Sequence, residues 1–399
     1  MKKDCRVRKM ILFVLVVMVC VFYSNTNSLA DEMSDSPTDN INVTTSDETT
    51  KTTDSTNSTN SIETTETVTS TETTESTETT EMVMENGWDK NKTYYYVNNK
   101  AVTGIQKISG KLYYFRDNGK LYKNKGLKKI SNQYYYFNKD YSLKTGVVKV
   151  DKKYYYFQKK SGQRYEKTGI KKVDGKYYYF TSGHYLKSGW ARNSDKERYY
   201  FDKTTYAAKT GWNYVGKYKY YFNKKGQLVQ DVRKKLTKKQ KQSYYIKVNR
   251  TACCVTVYAK DGDKGYTIPV VSFICSTGGA TPVGNFTTKD KLRWHELMGP
   301  CWGQWCAHIT SSILFHSVPY NSRNDNRSLD VKGYNKLGTM ASHGCIRLTA
   351  GDAKWIYDNC SVGTKVTIYN NEKDPGPFDK PEAQKLKSGH TWDPTDPTI

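Results

Sequence analysis

Hydrophobic and polar positions divide the chain into successive patterns. An apolar run occupies 10–23, and residues 31–83 then lack both apolar periodicity and nearly all aromatic side chains. From Gly87 to about residue 232, short alternating segments rich in Tyr, Lys and Gly recur. After a basic connector at 233–242, segments rich in Val, Ile and Tyr predict strands, because such side chains suit a pleated, half-buried surface. These strands are predicted at 245–248, 254–258 and 267–275.

The Tyr-rich region, 84–232, is a tandem array of about seven units. The phenylalanines that close the aromatic runs recur every 20 to 23 residues. Within a unit, an alternating strand meets a turn and then a Tyr-rich strand; Asp174-Gly175 is typical of a type I′ turn, which needs positive φ at both central positions. One hairpin cannot bury its aromatic face alone, whereas stacked hairpins can, so the array predicts a β-hairpin solenoid. The units open at Gly87, Gly104, Gly126, Gly146, Gly169, Gly189 and Gly211.

The N-terminal segments predict export followed by a tether. Residues 1–30 combine a basic start, an apolar run and the small residues Ser28-Leu29-Ala30, as a signal peptide does. The run is shorter than the roughly 20 residues of a membrane-spanning helix, so we expect a cleaved signal, with retention as an anchor as the alternative. The Thr-, Ser- and Glu-rich segment 31–83 cannot bury enough apolar surface to fold, and we expect a disordered acidic linker.

The net charge of +24 conceals a split between acidic and basic parts. Residues 31–82 hold thirteen acidic side chains against one lysine, so the remaining chain is more basic than the total suggests. Such a body concentrates on polyanions through long-range attraction. For an exported protein the polyanion is wall teichoic acid or an anionic membrane, and nucleic acid is not expected as a partner.

Seven cysteines remain after the predicted signal, all in the C-terminal part of the chain. Setting Cys345 aside as a reactive thiol leaves six, which in an exported protein allow up to three disulfides in any of fifteen pairings. Cys301 and Cys306 stand near His295 and His308. These four side chains suit tetrahedral zinc by type, but their spacing matches no known finger, and a disulfide such as Cys301–Cys306 is favoured over a metal.

The heptapeptide 342–348, Ser-His-Gly-Cys-Ile-Arg-Leu, supplies the parts that acyl transfer through a thiol requires. On a strand, His343 would point to the same face as Cys345. His316 ends an apolar strand pattern and could reach Cys345 only through tertiary contact. Gly344 would allow a tight turn whose N–H groups face a developing oxyanion. Thr349 and Asp352 then form a capping box that opens a short helix after the candidate nucleophile.

These residues, with several flanking motifs, resemble the catalytic domain of the L,D-transpeptidases that cross-link peptidoglycan. The matching motifs are the Ile246-X-Val248 strand, Thr281-Pro282-Val283-Gly284-Asn285-Phe286, His316-Ser317, Ser342-His343-Gly344-Cys345 and the closing strand 363–368. We therefore expect a mostly β fold: a hairpin solenoid, a β-rich catalytic domain over 243–370 and an extended C-terminal tail over 371–399.

The resemblance implies roles for individual residues. Cys345 would be the nucleophile and His316 its base, held by the main chain of Ser317, while His343 and Gly344 would shape the oxyanion site. Tryptophans between 294 and 305 would form a lid over the substrate groove, and the polar insertion 321–338 would be a loop over the site. No cofactor or metal is implied. The expected substrate contacts are Ser342, Arg347, Trp302, Trp305 and Tyr320.

The implied reaction joins two peptidoglycan stem peptides by a 3→3 cross-link through a cysteine thioester. With water as acceptor the same site would be an L,D-carboxypeptidase, and with a protein as acceptor it would attach that protein to the wall. A non-catalytic wall-binding adhesin is the remaining alternative. Carbapenem-type β-lactams are the implied inhibitors, and the outer face of the membrane or the cell wall is the implied location.

The repeats resemble the cell-wall-binding, choline-binding-type repeats of surface proteins. Members of that class that bind choline cage its ammonium between aromatic rings. Only Trp88, Trp190 and Trp212 keep the Gly-Trp opening here, and aliphatic side chains replace tryptophan in the other units. We therefore expect the repeats to bind a glycan or another wall polymer instead of choline.

Overall fold

The computed structural model describes residues 86–399, so the predicted signal 1–30 and the whole of the predicted linker 31–83 lie outside the described residues. The fold within the described range is mostly β, as predicted. None of its helices has the length and apolar character needed to cross a membrane.

Seven antiparallel hairpins follow one another between residues 87 and 222 of the described chain. Each predicted opening glycine begins a strand. Asp174 and Gly175 have φ of 46° and 83°, which confirms the turn predicted between their strands. The strands are β1 Gly87–Trp88, β2 Tyr95–Val97, β3 Lys100–Ala101, β4 Gly104–Ile108, β5 Lys111–Phe115, β6 Gly126–Ile130, β7 Gln133–Phe137, β8 Gly146–Val150, β9 Lys153–Phe157, β10 Gly169–Val173, β11 Lys176–Phe180, β12 Leu186–Lys187, β13 Gly189–Arg192, β14 Arg198–Phe201, β15 Gly211–Val215 and β16 Tyr218–Phe222.

In every unit but the first, the phenylalanine that ends the Tyr-rich strand forms the core of the array. Phe115, Phe157 and Phe222 are fully buried, and their counterparts in the other units are at most 1% exposed. Burying a phenylalanine side chain stabilises the fold by roughly 1.5–3 kcal/mol. The segment after one hairpin also bridges to the preceding one, as Leu143 does to Leu112. Neighbouring hairpins are therefore held by both aromatic packing and backbone pairing.

The C-terminal region contains two sheets and two α-helices. The five-stranded sheet has the order β19-β18-β17-β25-β20 and the four-stranded sheet the order β21-β22-β23-β24. Their strands are β17 Tyr244–Asn249, β18 Cys254–Ala259, β19 Ile268–Ile274, β20 Gly284–Thr287, β21 Lys291–Leu297, β22 Cys301–His308, β23 Leu314–Ser317, β24 Ile346–Leu348 and β25 Lys365–Tyr369. The helices are α1 Val331–Tyr334 and α2 Ala350–Asn359, with 3-10 turns at Arg233–Lys235, Gln240–Gln242 and Gly262–Lys264.

Helix α2 packs its predicted apolar stripe into the core between the sheets. Ala353, Ile356 and Cys360 are at most 1% exposed and belong to the largest buried cluster. The predicted cap is present, since the Thr349 side chain accepts a hydrogen bond from the Asp352 backbone N–H at 3.2 Å. The helix follows β24 directly in sequence, so its packing anchors the strand that comes immediately after the candidate nucleophile.

The last hairpin packs directly on the C-terminal sheets. The Lys219 N–H donates to the Thr267 carbonyl at 2.9 Å, and the Val232 N–H donates to Val270 at 2.8 Å. Trp212 and Tyr221 pack against the main core cluster. The described residues accordingly belong to one compact unit, in which the repeats and the C-terminal region share a buried junction.

The tail 371–399 has no helix or strand, but much of it is built into the fold. Phe378 is 2% exposed and packs beside Tyr220 of the last hairpin. Asp379 forms ion pairs with Arg192 and Arg198 at 2.6 and 3.3 Å. Near the chain end, fully buried Asp393 accepts a hydrogen bond from the N–H of Ala350 at 2.7 Å. The tail thus contacts both the repeats and the first turn of α2.

Candidate active site

Cys345 lies in a tight loop that leads into β24, not on the strand itself. The backbone at 343–345 is bent, so the alternation expected for His343 and Cys345 on a strand does not apply. His343 is exposed, and Gly344 is buried. A Cβ on Gly344 would lie 2.7 Å from the Cδ1 atom of Ile313 and 3.3 Å from the Ala280 backbone, so a larger residue would require Ile313 to move.

Neighbouring segments hold the backbone of this loop in place. The Ala280 N–H donates to the His343 carbonyl at 3.1 Å, and the Thr281 hydroxyl donates to the Gly344 carbonyl at 2.6 Å. A Cβ on Gly278 would lie only 2.0 Å from the Ser342 carbonyl oxygen. Gly278 is therefore required for this close approach, and sequence reasoning did not single it out.

The loop turns its carbonyls inward and leaves its N–H groups free. The carbonyls of His343, Gly344 and Cys345 all accept hydrogen bonds from the protein. Their N–H groups have no acceptor within the described residues. Free, fixed N–H groups beside a thiol are the arrangement that stabilises an oxyanion.

His316 is the penultimate residue of β23, which pairs in parallel with β24 so that His316 lies opposite Arg347. Its Nδ1 atom lies 2.6 Å from the Ser317 carbonyl oxygen. Because a carbonyl only accepts, Nδ1 carries the proton and Nε2 is left with a free lone pair. Burial, helped by the charge of Arg347, lowers the pKa of His316 to about 3. The imidazole is therefore neutral at physiological pH and able to accept a proton.

Gly303 on β22 packs against the His316 ring. A Cβ at this position would lie 3.0 Å from Nδ1 and 3.1 Å from the Cβ of His316. Because Gly303 has no side chain, the His316 imidazole can pack directly against the backbone of β22. Sequence reasoning missed Gly303, because no local pattern shows what a glycine packs against.

Cys345 is half-buried at the groove, with its Sγ atom 3.7 Å from the Ser312 carbonyl oxygen. Burial raises the pKa of the Cys345 thiol, and the hydrogen bond from the backbone near Leu314 and the charge of Arg347 offset this only in part. Cysteine and histidine are thus both neutral at rest. Thiol attack then needs a base that removes the proton as the new bond forms.

Arg347 contributes a positive charge without a carboxylate partner among the described residues. One guanidinium nitrogen donates to the Ala341 carbonyl at 3.1 Å, and the buried Nε atom has no hydrogen-bond partner in the described chain. An unpaired guanidinium at a groove is suited to recognising a carboxylate.

Cys345 and His316 line one groove of about 380 Å³. Ser342, His343, Gly344 and Arg347 line it as well, whereas Trp302, Trp305 and Tyr320 do not. Burial contradicts the predicted substrate contacts of Trp305 and Tyr320, whereas the predicted contact of Trp302 and the predicted tryptophan lid stay predictions. Trp305 is 8% exposed with Arg293 stacked 3.6 Å from its ring centre, and Tyr320 is fully buried with a hydrogen bond from Gln304.

The insertion 321–338 is also not a loop over the groove. None of its residues lines the groove. The Leu329 N–H donates to the Thr391 carbonyl, and the Asn335 side chain donates to the Leu386 carbonyl, both at 2.9 Å. Trp302 lies on the same side, under the guanidinium of Arg323 at 5.2 Å. The insertion packs with the tail because its apolar residues share a core cluster with Leu386.

Three members of the second cluster, His295, Cys301 and His308, line the same groove as Cys345, whereas Cys306 is fully buried. The rings of His295 and His308 lie 5.2 Å apart, and Cys301 lines the groove. The predicted Cys301–Cys306 disulfide is wrong: both residues lie on β22, about 16 Å apart along the strand, whereas a disulfide needs Cα atoms within about 7 Å. All seven cysteines of the described range are free thiols, and no group of His, Cys, Asp or Glu in that range is arranged to hold a metal.

A family comparison assigns the class of this region. Residues 243–368 match the YkuD family model, described as the L,D-transpeptidase catalytic domain. This part of the chain is therefore an L,D-transpeptidase catalytic domain of that family.

Individual relatives cover only parts of the molecule. YciB of Bacillus subtilis (strain 168), named as a candidate L,D-transpeptidase, is 40% identical over 119 residues, covering 28% of this chain and 59% of that protein. Choline binding protein F from Streptococcus pneumoniae aligns at 28% identity over 34% of this chain and 48% of its own, with a TM-score of 0.25. An L,D-transpeptidase from Mycobacterium smegmatis aligns at 23% identity over 32% of this chain and 58% of its own, also with a TM-score of 0.25. The chain thus spans about half to three fifths of these proteins.

Proposed function

We propose that this protein is a peptidoglycan L,D-transpeptidase that forms 3→3 cross-links through a thioester on Cys345. The observation that carries the proposal is one groove of the L,D-transpeptidase domain that holds a thiol, a neutral imidazole and an unpaired guanidinium. Each group has the chemical form that its proposed step needs.

His316 is the proposed base. With Nδ1–H donated to the Ser317 carbonyl, the free lone pair belongs to Nε2, which takes the thiol proton as Cys345 attacks. The Cys345 sulfur adds to the carbonyl carbon of the third residue of a donor stem, and the carbonyl oxygen becomes an oxyanion. The free N–H groups of His343, Gly344 and Cys345 are placed to stabilise that charge.

The intermediate collapses as the bond between the third and fourth residues breaks. Imidazolium His316 gives its proton to the departing amine, so D-Ala leaves neutral at its nitrogen and a thioester remains on Cys345. The side-chain amine of a second stem then attacks the thioester, and His316 takes the amine proton. The thiolate leaves, recovers the proton from His316, and the cross-link is complete.

Arg347 is the proposed receptor for a substrate carboxylate. Stem peptides carry carboxylates at the departing D-Ala and at the diamino acid, and a bidentate guanidinium contact orients one of them. Ser342, whose hydroxyl donates to the Cys345 carbonyl at 2.7 Å, is proposed to shape the same wall of the groove.

The repeats are proposed to hold the enzyme at the wall, after export through the N-terminal signal. Their regular stacking and basic surface support attachment to a repeating anionic wall component. We propose the cell wall or the outer face of the membrane as the location, and carbapenem-type β-lactams as inhibitors that acylate Cys345.

The proposal is tested by product analysis with a purified disaccharide-tetrapeptide, using the wild type and the Cys345→Ala and His316→Ala variants. Cross-linked dimers and free D-Ala should form with the wild type and be lost in both variants. Tripeptide without dimer would reassign the site to an L,D-carboxypeptidase. Unchanged turnover in Cys345→Ala would refute the thioester route.

A further inference from the structure

Two cavities of the hairpin array occupy equivalent positions, three units apart along the chain. The larger, of about 650 Å³, lies at the turn before Lys111 and reaches Lys144 and Lys159. The smaller, of about 450 Å³, lies at the turn before Lys176 and reaches Lys209 and Lys224. Lys111 and Lys176, Lys144 and Lys209, and Lys159 and Lys224 are each 65 positions apart. The array therefore presents the same lysine-lined cavity twice.

Each cavity is assembled from three consecutive hairpins. In the first, the β4–β5 turn, the loop that follows β7 and Lys159 after β9 form the walls. In the second, the β10–β11 turn, the loop that follows β14 and Lys224 after β16 do so. A cavity of this kind exists only because hairpins stack.

Most of the positive charge in these cavities is unpaired. Lys111 is neutralised by Asp140 and Lys209 by Asp202, both at 2.7 Å. Lys159 and Lys224 are exposed and, within the described part of the chain, have no carboxylate partner, and the same holds for the other lining lysines. These are Lys107, Lys139 and Lys144 in the first cavity and Lys176 in the second.

The lining of these cavities suits an anion better than an aromatic-caged cation. Tyr177 is the one aromatic residue among the lining positions of the two cavities. Elsewhere in the array the chain's own cations cover aromatic ring faces: Arg164 lies 4.0 Å from the ring centre of Tyr134, and Arg198 lies 4.6 Å from that of Trp190. A quaternary ammonium would have to displace these side chains.

We propose that the two cavities bind phosphates of one phosphodiester-linked wall polymer. The inference deepens the proposed wall attachment and rests on it. Two equivalent sites in one array suit a linear polyanion, because binding at one site raises the effective concentration of the chain at the other. A flexible polymer chain can place a phosphate in each cavity, so a soluble polymer chain is the occupant that we infer.

The test uses the full chain and two variants with the same change in net charge. Lys159→Gln with Lys224→Gln removes one unpaired lysine from each cavity, whereas Lys100→Gln with Lys167→Gln removes exposed lysines that line neither. Binding to soluble poly(glycerol phosphate) is measured by calorimetry at fixed salt. The double variant in the cavities should bind the polymer at least about tenfold more weakly than the wild type, and the control double variant at most about twofold more weakly. The unfolding temperature should be unchanged in both.

Equal weakening in the two double variants would overturn the proposal in favour of diffuse attraction, as would unchanged binding in the double variant in the cavities. Binding to anionic phospholipid vesicles that depends on Lys159 and Lys224, without binding to the polymer, would overturn it in favour of a membrane. Binding of the protein to cell-wall preparations with and without their phosphodiester polymer separates this proposal from wall attachment itself. If the protein binds equally well to wall without the polymer, wall attachment is supported and the two phosphate sites are rejected.

Discussion

At the scale of single residues, burial and one hydrogen bond set the resting state of the site. The Ser317 carbonyl fixes the His316 tautomer, and burial with the charge of Arg347 keeps the ring neutral. The same burial keeps the thiol of Cys345 protonated. The site therefore resembles a general-base pair and not a thiolate–imidazolium pair at rest.

This resting state predicts how Cys345 alkylation depends on pH. His316, with a pKa lowered to about 3, is already neutral across pH 5–8, so its titration adds no inflection there. The raised pKa of the thiol places the rise in iodoacetamide reactivity above the usual thiol range. The measurement is the alkylation rate of Cys345, followed by peptide mass spectrometry from pH 5 to 10. A reactive plateau beginning near pH 6 would show a resting ion pair and contradict the account.

Gly303→Ala should impair catalysis without unfolding the protein. The added methyl would lie 3.0 Å from Nδ1 of His316 and push the imidazole away from its position. We expect turnover to fall by roughly 10- to 100-fold, because small displacements of a catalytic group are costly. Steady-state D-Ala release measures the effect, with Gly279→Ala as a control at a glycine that has open space around it and no positive φ. Equal loss in both variants would mean that contact with His316 is not the cause.

Some residues of the site could be predicted from the sequence and others could not, depending on whether they carry functional groups. Cys345, His316 and Arg347 could be predicted from sequence because their chemistry shows in the motif. Gly278 and Gly303 could not, since their role is to let a carbonyl and an imidazole approach. Trp305 and Tyr320 misled the prediction, because an aromatic side chain near a motif looks the same in a core as in a groove.

At the scale of elements, helix α2 begins within a cluster of buried carboxyl groups. Its first N–H, from Ala350, donates to Asp393, and Asp352 in the same turn is buried close to both Asp393 and Arg233. Burial raises the pKa of Asp352 to about 6, although Thr349 and Arg233 oppose the shift. The charged form of Asp352 therefore destabilises the fold at the start of this helix.

Replacing Asp352 by Asn should stabilise the protein more at pH 7 than at pH 4.5. A folded-state pKa above the unfolded value means that the folded state binds the extra proton, so the cost is absent below about pH 4 and full above about pH 6. Part of the cost is already present at pH 4.5, so the difference between the two pH values should approach about 2 kcal/mol as an upper limit. Urea unfolding of both proteins at each pH measures it. A stability difference independent of pH would contradict the raised pKa.

The strands and α2 could be predicted closely because their patterns are local. Strands predicted at 245–248, 254–258 and 267–275 are observed within two residues at each end. The loop before β24 was harder, since its shape depends on Gly278, Ala280 and Thr281 from a distant segment. The insertion 321–338 was misassigned because nothing in its own sequence shows that it packs under the tail.

At the scale of the whole molecule, the tail joins parts that the sequence presents as separate. Phe378 and Asp379 contact the sixth and seventh hairpins, while Asp393 caps α2. These contacts link residues far apart in sequence, and Pro- and Asp-rich composition alone predicts only an extended segment. The repeats and the catalytic domain are consequently coupled through packing as well as through the connector.

Phe378→Ala should destabilise this junction. The side chain is 2% exposed beside Tyr220, and truncating a buried phenylalanine costs about 3–5 kcal/mol. Denaturant unfolding monitored by the tryptophan fluorescence of the chain measures the loss. Deletion of the exposed Ile399 serves as a control that should change stability little. A Phe378→Ala variant as stable as the wild type would show that the tail does not hold the junction.

The most direct test of the central claim is the mass of the intact enzyme during turnover of a tetrapeptide donor without an acceptor amine. The account predicts an increase equal to the donor minus D-Ala, located on Cys345 by peptide mapping and absent in Cys345→Ala. Cys301, the second thiol at the groove, provides an internal comparison and should remain unmodified. D-Ala release from an enzyme that never gains mass, or an adduct on a residue other than Cys345, would contradict the account.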